Sequence, residues 1–264
     1  PTGSLGGVSV RGASPGTRET DVLSPSNRVD EIHAIMLSGG SAYGLAAADG
    51  AMRYLEGQGI GVKVGSSVVP IVPSAILFDL GIGEREVRPD SESGYHACEF
   101  ASSDPVEQGT VGAGTGATVG KTRGPQRSVK GGLGSASIDL GEGLLVGALV
   151  VVNAIGSVHD PGNGSLIAGP RINKSMSSSI DDLISGNSFK LPDINGNTTI
   201  GVVATNAKLT KAQATMMAAS SHDGLALAIR PSHLIGDGDT MFSISTGEQG
   251  GIDGYGDMNR IITG

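Results

Sequence analysis

The sequence predicts an α+β fold, with short strands and a few helices packed in layers. Two kinds of segment carry that expectation. Residues 144–152 and 199–205 are apolar runs rich in β-branched residues, as buried strands are. Residues 42–56 and the stretch after Thr210 instead have helical spacing or helix end signals.

The chain has 264 residues, enough for a sizeable core, and is expected to form one domain over 1–264. Hydrophobic residues make up 38% and long charged tails are absent, which marks a globular chain. With a net charge of −8, and four Phe and four Tyr for stacking, nucleic acid is not an expected partner. The longest apolar run, 144–152, is too short to span a bilayer. The single cysteine, Cys98, excludes an internal disulfide framework and a Cys-based zinc site. It reads as a small buried hydrophobe and fits a cytoplasmic setting. Glycine is unusually common, at 44 of 264 residues, where about 7% is ordinary. Such segments let backbones pack closely and leave N–H groups free to face a ligand.

In chain order, residues 31–37 predict a buried strand and Ser38-Gly39-Gly40-Ser41 a turn. The helix over 42–56 places Leu45, Ala48, Met52 and Leu55 on one face, and Gly57 and Gly59 stop it. Pro70 and Pro73 break the apolar stretch 60–80, and a short helix is expected near 95–102. Strands over 135–140 and 144–152 form a hairpin through Gly141-Glu142-Gly143. Residues 160–197 read as loops, with a turn at Pro161-Gly162-Asn163-Gly164 and a short helix over 176–183. Residues 185–197 read as an exposed linker. The pattern changes at Thr198, where the strand 199–205 follows at once. Thr210 and Gln213 then form a capping box for a helix carrying Met216 and Met217. A last strand, 241–245, follows the acidic turn Asp237-Gly238-Asp239.

Two nucleotide motifs fail. Between Gly114 and Gly120 lie five residues, one more than a phosphate-binding P-loop allows, and Arg123-Gly124-Pro125 hinders a following helix. Gly112-x-Gly114-x-Gly116 does not open a helix either. No cofactor and no metal is expected. The histidines sit in no nucleophile-elbow context, and G-x-S-x-G is absent.

The junction Gly196-Asn197-Thr198-Thr199 is more informative. Spacing alone reads as a plain turn entering a strand. The chemistry offers more, because an N-terminal threonine carries its own base: an α-amine titrates at about 7.7–8.0. Cutting the Asn197–Thr198 bond would expose that amine. Asp237 and Asp239 either hold a cation, orient a polar group, or are solvated acids of a hairpin turn. Asn153 interrupts an apolar strand and is either a structural hydrogen-bonder or an oxyanion donor. Lys121 either stabilises an anion, tunes a neighbouring amine, or is solvated.

Ordered blocks along nearly the whole chain carry a resemblance. They include Pro15-Gly16-Thr17-Arg18-Glu19-Thr20, Ser38-Gly39-Gly40-Ser41-Ala42-Tyr43-Gly44-Leu45 and Gly112-Ala113-Gly114-Thr115-Gly116. They continue in Lys130-Gly131-Gly132-Leu133-Gly134, Val151-Val152-Asn153, Asn197-Thr198-Thr199 and Gly236-Asp237-Gly238-Asp239-Thr240. The chain resembles the L-aminopeptidase/D-esterase (DmpA) family, whose members are N-terminal nucleophile hydrolases. The resemblance implies an αββα sandwich, the architecture shared with ornithine acetyltransferases. It implies self-cleavage between Asn197 and Thr198, giving an α subunit of 1–197 and a β subunit of 198–264. Thr198 would then be the nucleophile. By the same match Asn153 contributes to the oxyanion hole, Lys121 assists near the nucleophile, and Asp237 and Asp239 position or activate it. The Asp-Gly-Asp turn is similar to that of nylon-oligomer hydrolases, whereas aminopeptidase members carry Ser and Glu there. The implied substrate is a small peptide or amide, and the implied assembly a homo-oligomer of αβ units. Acyl transfer on the same architecture is the rival activity, and a non-enzymatic or unprocessed relative is the third reading. Compared with typical members the chain starts later and stops before a usual C-terminal helix.

Overall fold

The computed structural model describes residues 3–187, 196–249 and 254–264. Its main sheet contains β1 (Ser4–Val10), β2 (Glu31–Ile32), β3 (Gly132–Asp139), β4 (Leu145–Asn153), β5 (Thr198–Thr205) and β6 (Thr240–Ser245), in the order β3-β4-β5-β6-β1-β2. The β5–β6 pair is parallel and the other neighbours are antiparallel. In the β4–β5 ladder Asn153 lies opposite Thr198, and Val151 opposite Ile200. Strand side chains alternate faces, so these four share one face of the sheet.

That face forms the central core. Val151, Ile200 and Phe242 pack with Leu23, Ile71 and Leu77. The second layer is a three-stranded sheet of Thr17–Arg18, Ser74–Ile76 and Met36–Ser38, with Ser74–Ile76 in the middle. Helices α1 (Ala47–Gly57) and α2 (Ser91–Glu99) cover its far side, where Ala48, Ala51 and Leu55 meet Val72. The two helices approach backbone to backbone. A Cβ at Gly50 would lie 1.7 Å from the Ser91 carbonyl oxygen, and one at Gly94 1.8 Å from that of Ala47. On the opposite side of the main sheet lie α4 (Lys211–Ala228) and α5 (Gly254–Thr263), which bury Ala214, Met217, Met258 and Ile261. The short α3 (Ser179–Ile184) lies between β4 and β5 in the chain. The stacking is therefore helix, sheet, sheet, helix, as expected for an αββα sandwich.

Local expectations held best where the signal was local. The hairpin forms as β3 and β4. Thr210 caps α4 by accepting from the Gln213 N–H at 3.3 Å, while the Gln213 side chain accepts from the Thr210 N–H at 2.9 Å.

Other expectations need correction. The single strand expected over 31–37 is two, because the segment leaves the main sheet after Ile32 and joins the second at Met36. The helix expected from 42 begins as a 3-10 turn, Ser41–Ala46, and becomes α-helical at Ala47. The helix expected near 95–102 starts earlier because the Asp90 carboxylate caps it, accepting the Ser93 N–H at 2.9 Å. The helix expected over 176–183 starts at Ser179, because Ser175–Met176 pairs with Arg171–Ile172. Cys98 is half-buried against the α1 cluster rather than buried. No helix was expected after the strand over 241–245, yet α5 follows it and docks through Met258 and Ile261. Of the expected linker, 188–195 lies outside the described residues, while Asn197 at its end is 1% exposed, held by a bridge to Asp237.

Candidate active site

The fold brings Lys121, Asn153, Thr198, Asp237 and Asp239 together where β5 begins. All five are buried. The β4–β5 ladder sets Asn153 beside Thr198. The turn before β6 brings the two aspartates alongside, because Asn197 bridges to Asp237.

Asn153 is the hub. Its Oδ1 accepts from the Lys121 ammonium at 2.7 Å and the Thr118 N–H at 3.0 Å. Its Nδ2 donates to the carbonyls of Phe78 at 2.8 Å and Gly196 at 3.3 Å. The buried amide thus finds partners on every side, as its desolvation demands. Lys121 also donates to the carbonyls of Asn153 at 3.1 Å and Gly196 at 3.2 Å. The loop carrying Lys121 is itself tied down. Thr122 and Arg123 donate to the buried Asp182 of α3 at 3.1 and 2.5 Å.

The Asn197–Thr198 peptide sits against this hub. The Thr198 hydroxyl is 2.5 Å from the Asn197 carbonyl oxygen, and the Gly238 N–H donates to that oxygen at 3.0 Å. Gly238 has to be small, because a Cβ there would lie 2.8 Å from Thr198 Oγ1. The acidic turn reaches the neighbours of Thr198. Asp239 Oδ1 accepts the Thr199 N–H at 2.6 Å, and Asp237 Oδ2 accepts the Leu234 N–H at 2.7 Å.

Burial drives both titrating partners toward neutrality. Lys121 is lowered to about 7 by desolvation, against the pull of Asp237 and Asp79. Asp237 is raised to about 7 by desolvation and by the charge of Asp239. Groups titrating near neutral pH are suited to exchanging protons during a reaction. Among the described residues no group of three or more His, Cys, Asp or Glu side chains is placed to hold a metal ion.

Two residues at the site had no role in the sequence expectations. The first is His233, whose ring Nδ1 lies 2.8 Å from Asp239 Oδ2, with its own N–H on the same oxygen at 3.1 Å. Its φ of +59° is unusual for a non-glycine residue. Asp239 raises its pKa. The second is Asp79, next to the Phe78 carbonyl that Asn153 contacts, and attractive to Lys121. Neither belongs to a spaced motif. The nearest signal was a histidine four residues ahead of the acidic turn.

Likeness to solved structures gives the class of the fold. It resembles a Burkholderia sp. beta-aminopeptidase with a TM-score of 0.66 at 19% identity, covering 98% of this chain and 70% of that one. It also resembles the L-aminopeptidase D-Ala-esterase/amidase of Ochrobactrum anthropi, described as a variant of the Ntn hydrolase fold, with a TM-score of 0.64 at 17% identity, covering 93% and 61%. The fold is thus that of N-terminal nucleophile hydrolases.

The family model described as Peptidase family S58 matches residues 2–260, and the chain belongs to that family of hydrolases. An uncharacterized aminopeptidase of Mycobacterium tuberculosis (strain H37Rv) is 46% identical over 256 residues, covering 94% of this chain and 71% of the relative. A 6-aminohexanoate-oligomer endohydrolase of Kocuria sp. (strain KY2) is 30% identical over 255 residues, covering 94% and 68%. The chain spans 61% of the length of a solved Pyrococcus horikoshii OT3 protein that it resembles at 25% identity and a TM-score of 0.62. No helix among the described residues is long and apolar enough to cross a membrane.

Proposed function

We propose that this hydrolase cuts its own Asn197–Thr198 bond and then uses Thr198 as an N-terminal nucleophile on small peptides or amides. The observation that carries the reading is the geometry of that one peptide bond. Its carbonyl oxygen accepts from the Gly238 N–H and lies 2.5 Å from the Thr198 hydroxyl.

In the first step Thr198 Oγ1 attacks the Asn197 carbonyl carbon. The C–N bond breaks, an ester forms, and the released nitrogen takes up the hydroxyl proton and becomes the α-amine of Thr198. Water then hydrolyses the ester, leaving 1–197 with a carboxylate at Asn197. The Gly238 N–H is placed to stabilise the oxyanion of this step. In turnover the α-amine takes the Thr198 hydroxyl proton and passes it to the leaving amine, while Oγ1 forms an acyl-enzyme that water resolves. The Asn153 amide, released from the Gly196 carbonyl once the chain is cut, serves the substrate oxyanion. Lys121 supplies positive charge beside it.

The test is fragmentation. Purified protein is expected as two chains, the smaller one starting at Thr198 on N-terminal sequencing. Thr198→Ala is expected to stay as one chain and lose amidase activity. A smaller chain starting at Thr199, or an active Thr198→Ala protein, sinks the assignment.

A second substrate reading has its own support in the Asp237-Gly238-Asp239 turn, which is similar to that of nylon-oligomer hydrolases. Linear 6-aminohexanoate oligomers belong in the substrate panel beside aminoacyl anilides and β-amino acid amides.

A further inference from the structure

Of the five side chains gathered at the start of β5, that of Lys121 is the longest, and it enters from a loop. The strand Thr118–Val119 ends before it and a 3-10 turn, Pro125–Arg127, follows. Two backbone bonds hold one side of the loop. The Gly120 and Lys121 N–H groups donate to the carbonyls of Gly156 and Ile155 at 2.9 and 3.0 Å. Gly120 has a φ of +70°, and a Cβ there would lie 2.6 Å from both the Gly169 carbonyl carbon and the Pro170 nitrogen. The backbone entering Lys121 is thus pressed against the segment that leads into α3.

A buried polar cluster fastens the other side. Its centre is Asp182 of α3, which is 2% exposed. One carboxylate oxygen accepts from the hydroxyls of Thr122 at 3.1 Å and Ser177 at 2.9 Å, and the other accepts from the Arg123 guanidinium at 2.5 Å. Burial pushes the Asp182 pKa up, but Arg123, Ser177 and Thr122 together hold it below the ordinary carboxylate value. Ser179, also on α3, closes the cluster. Its N–H donates to the Ser157 hydroxyl at 2.8 Å, and its own hydroxyl donates at 3.3 Å to the Ile155 carbonyl, the same one that holds the Lys121 N–H. A buried carboxylate is costly unless its oxygens are answered. Here the groups that answer it include the two residues directly after Lys121.

We propose that Asp182 is a positioning residue for the reaction at Thr198. It clamps Thr122 and Arg123 to α3, so that the Lys121 ammonium reaches Asn153 Oδ1 and the Gly196 carbonyl together, at 2.7 and 3.2 Å. The proposal rests on the reading of Thr198 as nucleophile, in which Lys121 supplies charge beside the oxyanion. A flexible side chain on a loose loop would spread its charge over many positions. Misplacing a reacting or stabilising group by an ångström costs about a hundredfold in rate.

Two substitutions loosen the clamp without touching the five residues at the site. Asp182→Asn keeps the shape and removes the charge, and Thr122→Val removes one hydroxyl. Asp182→Asn is expected to slow the appearance of the chain starting at Thr198 by about tenfold to a hundredfold, and Thr122→Val by less. A weaker fold would also slow it, so a second readout is local. In the uncut Thr198→Ala chain, acetylation of Lys121 by acetic anhydride, followed by mass spectrometry, is expected to speed up about tenfold or more with Asp182→Asn. Lys211 is the internal control. It is buried at the start of α4, with its ammonium on the carbonyls of Val22, Asn27 and Val29 at 3.2, 2.8 and 2.7 Å. Its labelling is expected to stay at the parent rate. Equal acceleration at both lysines, unchanged labelling of Lys121, or fragmentation of Asp182→Asn at the parent rate overturns the proposal. Should Asp182→Asn not fold, Thr122→Val decides by the same comparison, with a smaller effect at Lys121 alone. Failure of the Thr198 reading looks different, since the parent would then yield no chain starting at Thr198 while the contrast between the two lysines would persist.

Discussion

Asp239 divides its two oxygens between a backbone amide at the start of β5 and the imidazole of His233. The ring is itself held, because His222 packs edge-on against it with centroids 4.8 Å apart and contacts the Ser9 carbonyl through Nε2 at 3.0 Å. The result is a fixed carboxylate one residue from the Asn197–Thr198 bond, the one proposed to be cut. Asp239 pairing raises the His233 pKa, while burial and Arg11 oppose the rise. The pair's contribution is therefore complete below the ordinary histidine value and is lost as pH rises through the raised one. His233→Gln should leave the fold intact and slow conversion of the single chain to fragments by roughly tenfold to a hundredfold, the worth of one charge-assisted hydrogen bond. A time course of fragmentation on freshly refolded protein measures it. Cleavage at the parent rate would mean that Asp239 needs no second partner.

At the scale of elements, α4 is the support under the sheet. Ser243 of β6 donates its hydroxyl to the Ala214 carbonyl at 2.7 Å, so the first turns of the helix are tied to the strand that follows the acidic turn. Thr210→Ala removes the side-chain half of the capping box and should cost about 1 kcal/mol. Urea unfolding of the uncut Thr198→Ala chain would read this as a lower midpoint at constant slope, and an unchanged midpoint would count against it. The same helix illustrates what the sequence made legible. Thr210 and Gln213 are three residues apart, and the hairpin strands are joined by the short stretch 140–144, so their partners lie within one local window. Asn153 was legible too, because an amide inside an apolar strand must find partners. The division of residues 31–37 between two sheets was not, since it depends on where residues 71–76 lie. Asp79 and His233 escaped for the same reason. Each acts through a neighbour brought up by the fold, and a lone carboxylate or imidazole carries no spacing to betray it.

For the molecule as a whole, the sandwich stores opposed proton equilibria at its centre. Asp237, raised from 3.8 to about 7, keeps a proton in the folded chain that the unfolded chain has released. Its contribution to stability is complete below 3.8 and is lost as pH rises through about 7. Lys121, lowered from 10.5 to about 7, does the reverse. The folded chain gives up that proton first, so stability is regained between about 7 and 10.5. Together these slopes place a shallow minimum near neutral pH, where both groups are poised to exchange protons. Asp237→Asn keeps an acceptor for the Leu234 N–H and removes the first slope. In the uncut Thr198→Ala background, its stability relative to the same chain with Asp237 should rise from pH 4 to pH 7 by an amount on the order of a few kcal/mol. Urea midpoints at a series of pH values would measure the difference. If it stays flat across that range, Asp237 titrates as an ordinary carboxylate. Desolvation would then not be what prepares this site for proton transfer, and that task would fall to the charges arriving with the substrate.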